Sequence, residues 1–485
     1  MKKLGVDLKK NIDFIKDSTG YGPDLVIKEM IISNNKINIV FNEAVADAKF
    51  IDRFVLNYLS VEEKKIKKGD IFEYLRKYIP THKTTKLDNF DNLFYSLMSG
   101  FTIILIDGYD EALALETKAQ LDSGINETQN EMIFKGPKDG FSENYQTNIG
   151  LIRKRIKSEK LFLEEFILGT KSKTKVGVMY VDDVVSKPLV KEITRKIKRI
   201  NIDAIINSNY VVELILENKR NVLSDYIATE RPDTVAFNLL EGKIAIIVEN
   251  AQNIIIIPTN FFEFFHSIED NYQKVINANY TRVIRITAFM ISILAPGLYI
   301  SLVTYNMEAL PDPILMSFAS QRAGVPLPTI LETIAMIFTF EILKETDSRL
   351  PTAISSSLSI VGAIVLGQAA VSAGLVAPIT VVVVAISGIS GMISSYMDMR
   401  VGVRIWRVIF VILSGFLGIF GLTMAGFLFL ITVSNMKSFG VPYFSPLAPF
   451  NKDSQSNGLA ITNKRKFKMR DSLTARKNQY RTGVR

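Results

Sequence analysis

The chain has no cysteine, so neither a disulfide nor a cysteine-ligated metal site is open to it. Histidine is almost as scarce, with His82 and His266 far apart, and His266 alone makes no metal site. The most informative absence is of charge. Between Arg349 and Asp398, 48 residues pass without an Asp, Glu, Lys or Arg. A bilayer core about 30 Å thick takes roughly 20 helical residues, so this stretch is long enough for two crossings. Gly374 with Pro378 supplies a reversal between them. Ile286 to Met307 and Val408 to Met436 are also uncharged, which makes at least four apolar segments between residues 283 and 436. The last third of the chain therefore reads as an all-α polytopic membrane domain, residues 280 to 436, with four or five helices.

Chemistry-bearing motifs are missing as well. There is no P-loop, no nucleophile elbow, no paired metal ligands and no glycine fingerprint after a strand, so no enzyme activity and no cofactor are expected. The N-terminus, MKKLGVDLKKNIDF, lacks the apolar core of a signal peptide, and the N-terminal region is expected to stay on the side where it is made.

Residues 1 to 270 carry dense, mixed charge and short apolar runs, and read as an α/β soluble region of two subdomains. After an N-terminal tail (1–23), the first subdomain (24–134) alternates strands at Asp24 to Ile32, Lys36 to Phe41, Phe101 to Ile106 and Glu111 to Glu116 with helices near Asp47 to Ser60 and Ile71 to Ile79. Asp107-Gly108 is a hairpin signal, and Asp122 to Gln129 a polar linker. In the second subdomain (135–270), Ile149, Ile152, Ile156, Leu163 and Ile167 predict one helix ending at Gly169. A strand at Lys175 to Val181, a helix bearing Leu189, Ile193, Ile197 and Ile200, and a strand at Asp203 to Ile206 then favour a βαβ unit. Lys243 to Val248 and Ile254 to Ile257 bracket a hairpin. Phe261, Phe262, Phe264 and Phe265 are placed either to seat the chain at a membrane interface or to pack on the soluble region.

Within the apolar third, Ser355, Ser359, Ala363 and Gly367 recur every fourth residue, a spacing that lets helix backbones pack closely. The opposite face carries Ser357, Val361, Ile364, Gln368 and Ser372. An amide deep in an apolar helix needs a polar partner, so Gln368 either faces a pore or makes an interhelical hydrogen bond. Glu332 has capping-box spacing from Thr329, while Glu341 follows eight uncharged residues with Lys344 one turn on. Thr329 to Glu345 is thus either a short crossing or a helix in the membrane plane.

Charge placement bears on topology. Of the net charge of +9, residues 451 to 485 hold ten basic and two acidic residues, an excess of eight. This connector and basic tail (437–485) fits either contact with anionic lipid or simple solvation, and no nucleic-acid module accompanies it. Lys274, Arg282 and Arg285 put the N-terminal region in the cytoplasm. If Thr329 to Glu345 crosses, five crossings leave the tail outside with Arg400, Arg404 and Arg407 inside; if it does not, four reverse both, and the tail's larger charge favours four.

Six stretches resemble one known family: KGPKDGFSENYQTNIGLIRKRI (135–156), RPDTVAFNLLEGKIAIIVE (231–249), QRAGVPLP (321–328), FEILKETDSRLP (340–351), SIVGAIVLGQAAVSAGLVAP (359–378) and SFGVPYFSPLAPF (438–450). They are similar to the A subunit of GerA-type spore germinant receptors, most weakly before residue 130 and with ETDS at 345–348 departing from the pattern. The resemblance implies two cytoplasmic α/β subdomains and a multi-pass domain in the spore inner membrane. It further implies a homo-oligomer working with a transporter-like B subunit and a lipoprotein C subunit, in which the A subunit passes ions on activation. A stage V sporulation relative shares the architecture. A secondary transporter and a non-conducting scaffold are the readings from other classes, and no inverted repeat favours the transporter.

Overall fold

The computed structural model describes residues 2–32, 35–56, 84–120, 128, 131–216, 221–349, 365–394, 396–450, 460–463, 468–475 and 478–481. The expected helix at Ile71 to Ile79 lies outside them.

The first subdomain is a five-stranded antiparallel sheet of β1 (Leu25–Ile32), β2 (Asn35–Asn42), β3 (Thr84–Leu87), β4 (Phe101–Ile106) and β5 (Ala112–Glu116), in the order β1-β2-β4-β5-β3. Gly108 takes φ +90° in the β4–β5 turn, as the Asp107-Gly108 pair predicts. Side chains alternate across β4. Ile103 and Leu105 pack on α1 (Leu8–Ser18) and α3 (Phe90–Met98), whereas Ile104 and Ile106 meet Ile51 and Val55, just beyond α2 (Ala48–Phe50). Part of the expected N-terminal tail is therefore helix α1, capped by the Asp7 carboxylate and buried through Leu8, Ile12 and Ile15.

The second subdomain repeats the plan. Strands β6 (Leu161–Leu168), β7 (Thr174–Val181), β8 (Ile227–Thr229), β9 (Ile244–Val248) and β10 (Ile254–Ile257) run antiparallel in the order β6-β7-β9-β10-β8. On β9, Ala245 and Ile247 face α4 (Tyr145–Arg155) and α7 (Pro232–Leu240), while Ile244, Ile246 and Val248 face α5 (Lys187–Lys198) and α6 (Ser208–Ile215). Three expectations are corrected. The helix drawn to Gly169 ends at Arg155, because Leu161 and Leu163 follow a two-residue period on strand β6 and Gly169 (φ +87°) opens the β6–β7 turn. Asp203 to Ile206 is not a strand, and Ile205 simply fills the core beneath α6. No βαβ unit forms, since β7 pairs with β9 antiparallel. Buried Arg153 ties the subdomains together, donating to the Asp24 carboxylate (3.0 Å) and the Leu161 carbonyl (3.2 Å).

The helical region comprises α8 (Val275–Ile300, prolonged by a turn to Tyr305), α9 (Asp312–Arg322), α10 (Thr329–Arg349), α11 (365–372), α12 (Pro378–Ser390) and α13 (Met397–Asn435). Among the described residues, two stretches, Val275–Tyr305 and Met397–Asn435, are long and apolar enough to cross a membrane. Yet α13 is not one rod. Gly418 has φ 59° and ψ −138°, and the helix doubles back there into arms 397–417 and 419–435. A straight helix rising 1.5 Å per residue would hold Trp406 and Phe429 about 34 Å apart, whereas their rings meet at 5.0 Å. The run Val408 to Met436, expected as a single segment, is thus divided by a glycine in a conformation that β-carbon-bearing residues avoid.

Both ends of α13 rest on the second subdomain. Gly402 abuts Leu223, and beyond the second arm the Tyr443 hydroxyl donates to the Ser224 carbonyl (2.6 Å). The four phenylalanines lie at this junction and are buried. Phe261 stacks edge-on with Phe289 of α8 (5.6 Å) and Phe429 of α13 (6.1 Å). Asp270 pairs with Arg282 (3.0 Å) and Arg285 (2.9 Å) at the foot of α8. The described part of the basic tail also lies on protein. The Thr474 hydroxyl donates to the Glu241 carbonyl (2.8 Å), Arg470 to the Leu240 carbonyl (2.8 Å), and Arg481 pairs with Glu241.

Candidate functional site

Among the described residues, two polar centres sit inside the helical region, one at each level of it. The far centre is Glu332, fully buried on α10. Its Oε1 accepts the backbone N–H of Ala377, the residue that starts α12 without a side-chain cap of its own. A carboxylate there meets the positive end of the α12 dipole. The capping-box expectation is corrected accordingly: Glu332 caps a neighbouring helix. Its Oε2 has no hydrogen-bond partner among the described residues. Beside it the Tyr299 and Thr380 hydroxyls bond at 2.9 Å and those of Thr304 and Thr329 at 3.3 Å.

The second centre lies nearer the two α/β subdomains and joins four helices. Arg407, 1% exposed, donates from Nε to the Ser292 carbonyl (3.1 Å) and from Nη2 to the Ser292 hydroxyl (2.9 Å). The same carbonyl accepts from Ser387 of α12 (2.7 Å). Glu341 of α10 lies 3.5 Å from Arg407 Nη1 and 3.1 Å from Arg404 Nε. Lys344 donates to the Gly388 carbonyl (3.3 Å) and stands over the Phe340 ring (4.7 Å) rather than pairing with Glu341 one turn back. A β-carbon on Gly391 would lie 2.6 Å from Arg407 Nη2, so the guanidinium needs a glycine beside it.

These contacts fix the run of α10. Thr329 is level with Thr304 at the far end of α8, and Glu341 is level with Arg404 and Arg407. The helix therefore runs back toward the two α/β subdomains. Because the chain doubles back at Gly418, Arg400, Arg404 and Arg407 and the described tail residues are at the same end of the helical region.

Of the residues singled out in the apolar third, Ser355, Ser357, Ser359, Val361, Ala363 and Ile364 lie outside the described residues. Gly367, Gln368 and Ser372 lie on α11. A β-carbon on Gly367 would touch Val381 of α12 at 3.7 Å, whereas Gln368 and Ser372 are exposed. Ser292, Ser387 and Gly391 give no sequence signal, being small residues in apolar helices. Arg407 does give one: it is the last charge before the uncharged run Val408 to Met436, and Glu341 is the first after eight uncharged residues.

Outside the helices, Glu131 accepts from the Thr229 hydroxyl (2.7 Å), and burial pushes its carboxyl up to about 7. Buried Arg231 next to it is saturated by Asp233 (2.8 Å) and by the Pro137 (2.7 Å) and Glu131 (3.2 Å) carbonyls.

The family model described as Bacillus/Clostridium GerA spore germination protein matches residues 13–473. The chain belongs to the GerA family. Spore germination protein KA of Bacillus subtilis (strain 168) is 35% identical over 94% of this chain and 84% of its own length. Spore germination protein GerLA of Bacillus cereus is 30% identical over 90% of each. Among solved structures, the N-terminal domain of the A subunit of the Bacillus megaterium spore germinant receptor GerK3 is 30% identical and covers 54% of this chain and 98% of that domain, with a TM-score of 0.43. This GerA protein thus has spore germination proteins as relatives along most of its length.

Proposed function

We propose that this GerA protein is the A subunit of a nutrient germinant receptor in the spore inner membrane, an oligomeric ion path that opens when partner subunits sense a nutrient. Family membership supports the germination role, and one structural observation supports the path. Gln368 and Ser372 are exposed on α11, beside exposed Val365 and Leu366, in a stretch without charge. An amide facing lipid would leave its donors and acceptors unmade. Further copies of the chain give that face a polar, water-filled surround.

The helical region is proposed to span the bilayer with its arginine-rich end in the cytoplasm. α8 runs outward, α10 back, and the chain is at the far end again by Gly374, whose β-carbon would approach the Gly324 carbonyl (3.4 Å). With α12 and the two arms of α13, the path makes an even number of passes, and both termini share one side with Lys274, Arg282 and Arg285. A transporter-like B subunit and a lipoprotein C subunit are the proposed partners. Spores lacking this chain should form normally but lose germination in response to one class of nutrient. A defect in spore formation itself would instead point to the stage V relative.

A further inference from the structure

The arginine centre is short of negative charge. Lys344 lies within electrostatic reach of Arg400, Arg404, Arg407 and the Glu341 carboxylate, and Arg400 within reach of Arg404, so cations outnumber the carboxylate here. Asp398 does not offset them, since it faces Tyr226. Arg404 and Arg407 share Glu341, but Arg400 has only the Ser394 carbonyl (2.8 Å), and among the described residues no carboxylate pairs with it. Half-buried charge in such excess calls for an anion.

Arg400 lines a cavity of about 210 Å³ at the junction of the helical region with the second subdomain. Arg231, Thr234 and Ser267 form its inner wall, and Met132, Met392 and Ile393 are at its rim. On that rim large apolar side chains stand uncovered: Met132 is 80% exposed and Met392 49%. Glu131 also lines the cavity, but its burial keeps the carboxyl largely neutral up to about pH 7. A cationic pocket at the foot of a helix bundle, rimmed by bare apolar side chains, matches the two chemistries of a phospholipid at the bilayer surface.

We propose that this cavity binds the phosphate headgroup of an anionic phospholipid from the leaflet facing the soluble subdomains. The Arg400 guanidinium is the donor, and Met132, Met392 and Ile393 sit among the acyl chains. A planar guanidinium gives phosphate two parallel hydrogen bonds, which an ammonium cannot. The site rests on the membrane reading given above.

Purified full-length protein in phosphatidylcholine nanodiscs, with and without added phosphatidylglycerol, provides the test, read by native mass spectrometry of retained lipid. Incorporation into phosphatidylcholine alone checks the membrane reading separately. The wild type should retain phosphatidylglycerol over phosphatidylcholine by on the order of tenfold, the size of a charged hydrogen bond. Arg400→Gln should abolish the preference and Arg400→Lys keep part of it, while neutralising Lys464, Arg465 and Lys466 in the tail should change nothing. Met132→Ser with Met392→Ser should also lower retention and covers the case that Arg400→Gln fails to fold. Three results overturn the site: full selectivity in Arg400→Gln, competition by free glycerol phosphate as strong as by the lipid, or a change in assembly mass alone, which would make the patch a contact between copies.

Discussion

Arg407 and Ser292 are joined twice, through the Ser292 carbonyl at 3.1 Å and its hydroxyl at 2.9 Å, across two helices that leave the second subdomain separately. Removing one partner of a buried charged pair leaves the other uncompensated, at a cost of about 3–5 kcal/mol. Glu341→Leu and Arg407→Leu should each lower the thermal midpoint in detergent markedly, and the two together should lower it by less than the sum of the single losses. Ser292→Ala keeps the carbonyl and should cost only about 1 kcal/mol. Additive losses would mean that the pair does not act as a unit.

The reversal at Gly418 requires a residue without a β-carbon. At φ 59° and ψ −138° any side chain is strained, and a β-carbon would also lie 2.8 Å from Tyr305. Gly418→Ala should cost about 1–3 kcal/mol and Gly418→Val more, read as loss of folded protein in membranes. A neutral Gly418→Val would show that the second arm does not turn back there.

Because the chain has no cysteine, single cysteines report sidedness without background. In intact protoplasts, an impermeant maleimide should label Ser320→Cys in α9. Lys171→Cys in the second subdomain and Lys468→Cys in the tail should react only after permeabilisation. Labelling of Lys468→Cys from outside would contradict the even number of passes.

Glu131 makes stability depend on pH. Burial raises its carboxyl from 4.5 to about 7, so the folded chain holds the proton more tightly than the unfolded one. Its contribution to stability is then full below about 4.5 and is lost as pH rises through about 7. Thermal midpoints measured across that window should fall with rising pH for the wild type and flatten for Glu131→Gln; an unchanged slope in the variant would assign the effect elsewhere.

Strands β1, β2, β4 and β5 of the first subdomain and the β9–β10 hairpin were legible because each combines an alternating or short apolar run with a turn signal such as Asp107-Gly108, whereas the short polar strand β3 (Thr84–Leu87) carries no such pattern. The β6 strand was not, since Ile149 to Ile167 holds a helical period long enough to hide the switch at Leu161 to a period of two. In the helical region, apolar composition marks where helices lie but carries no direction. Gly418 is one of several glycines in its run, and only the packing of Trp406 on Phe429 marks it as the reversal. The arginine centre was half legible: Glu341 and Arg407 are conspicuous charges, but their serine and glycine partners look like any small residue in a packed helix.

The most direct test of the account is ion release from potassium-loaded liposomes holding this chain with its B and C partner subunits, on addition of the nutrient found with spores. The wild type should release potassium only with the nutrient. Gln368→Leu should reduce the flux while leaving assembly intact. No flux from the complete wild-type complex, or equal flux from Gln368→Leu, would contradict an ion path along the α11 face.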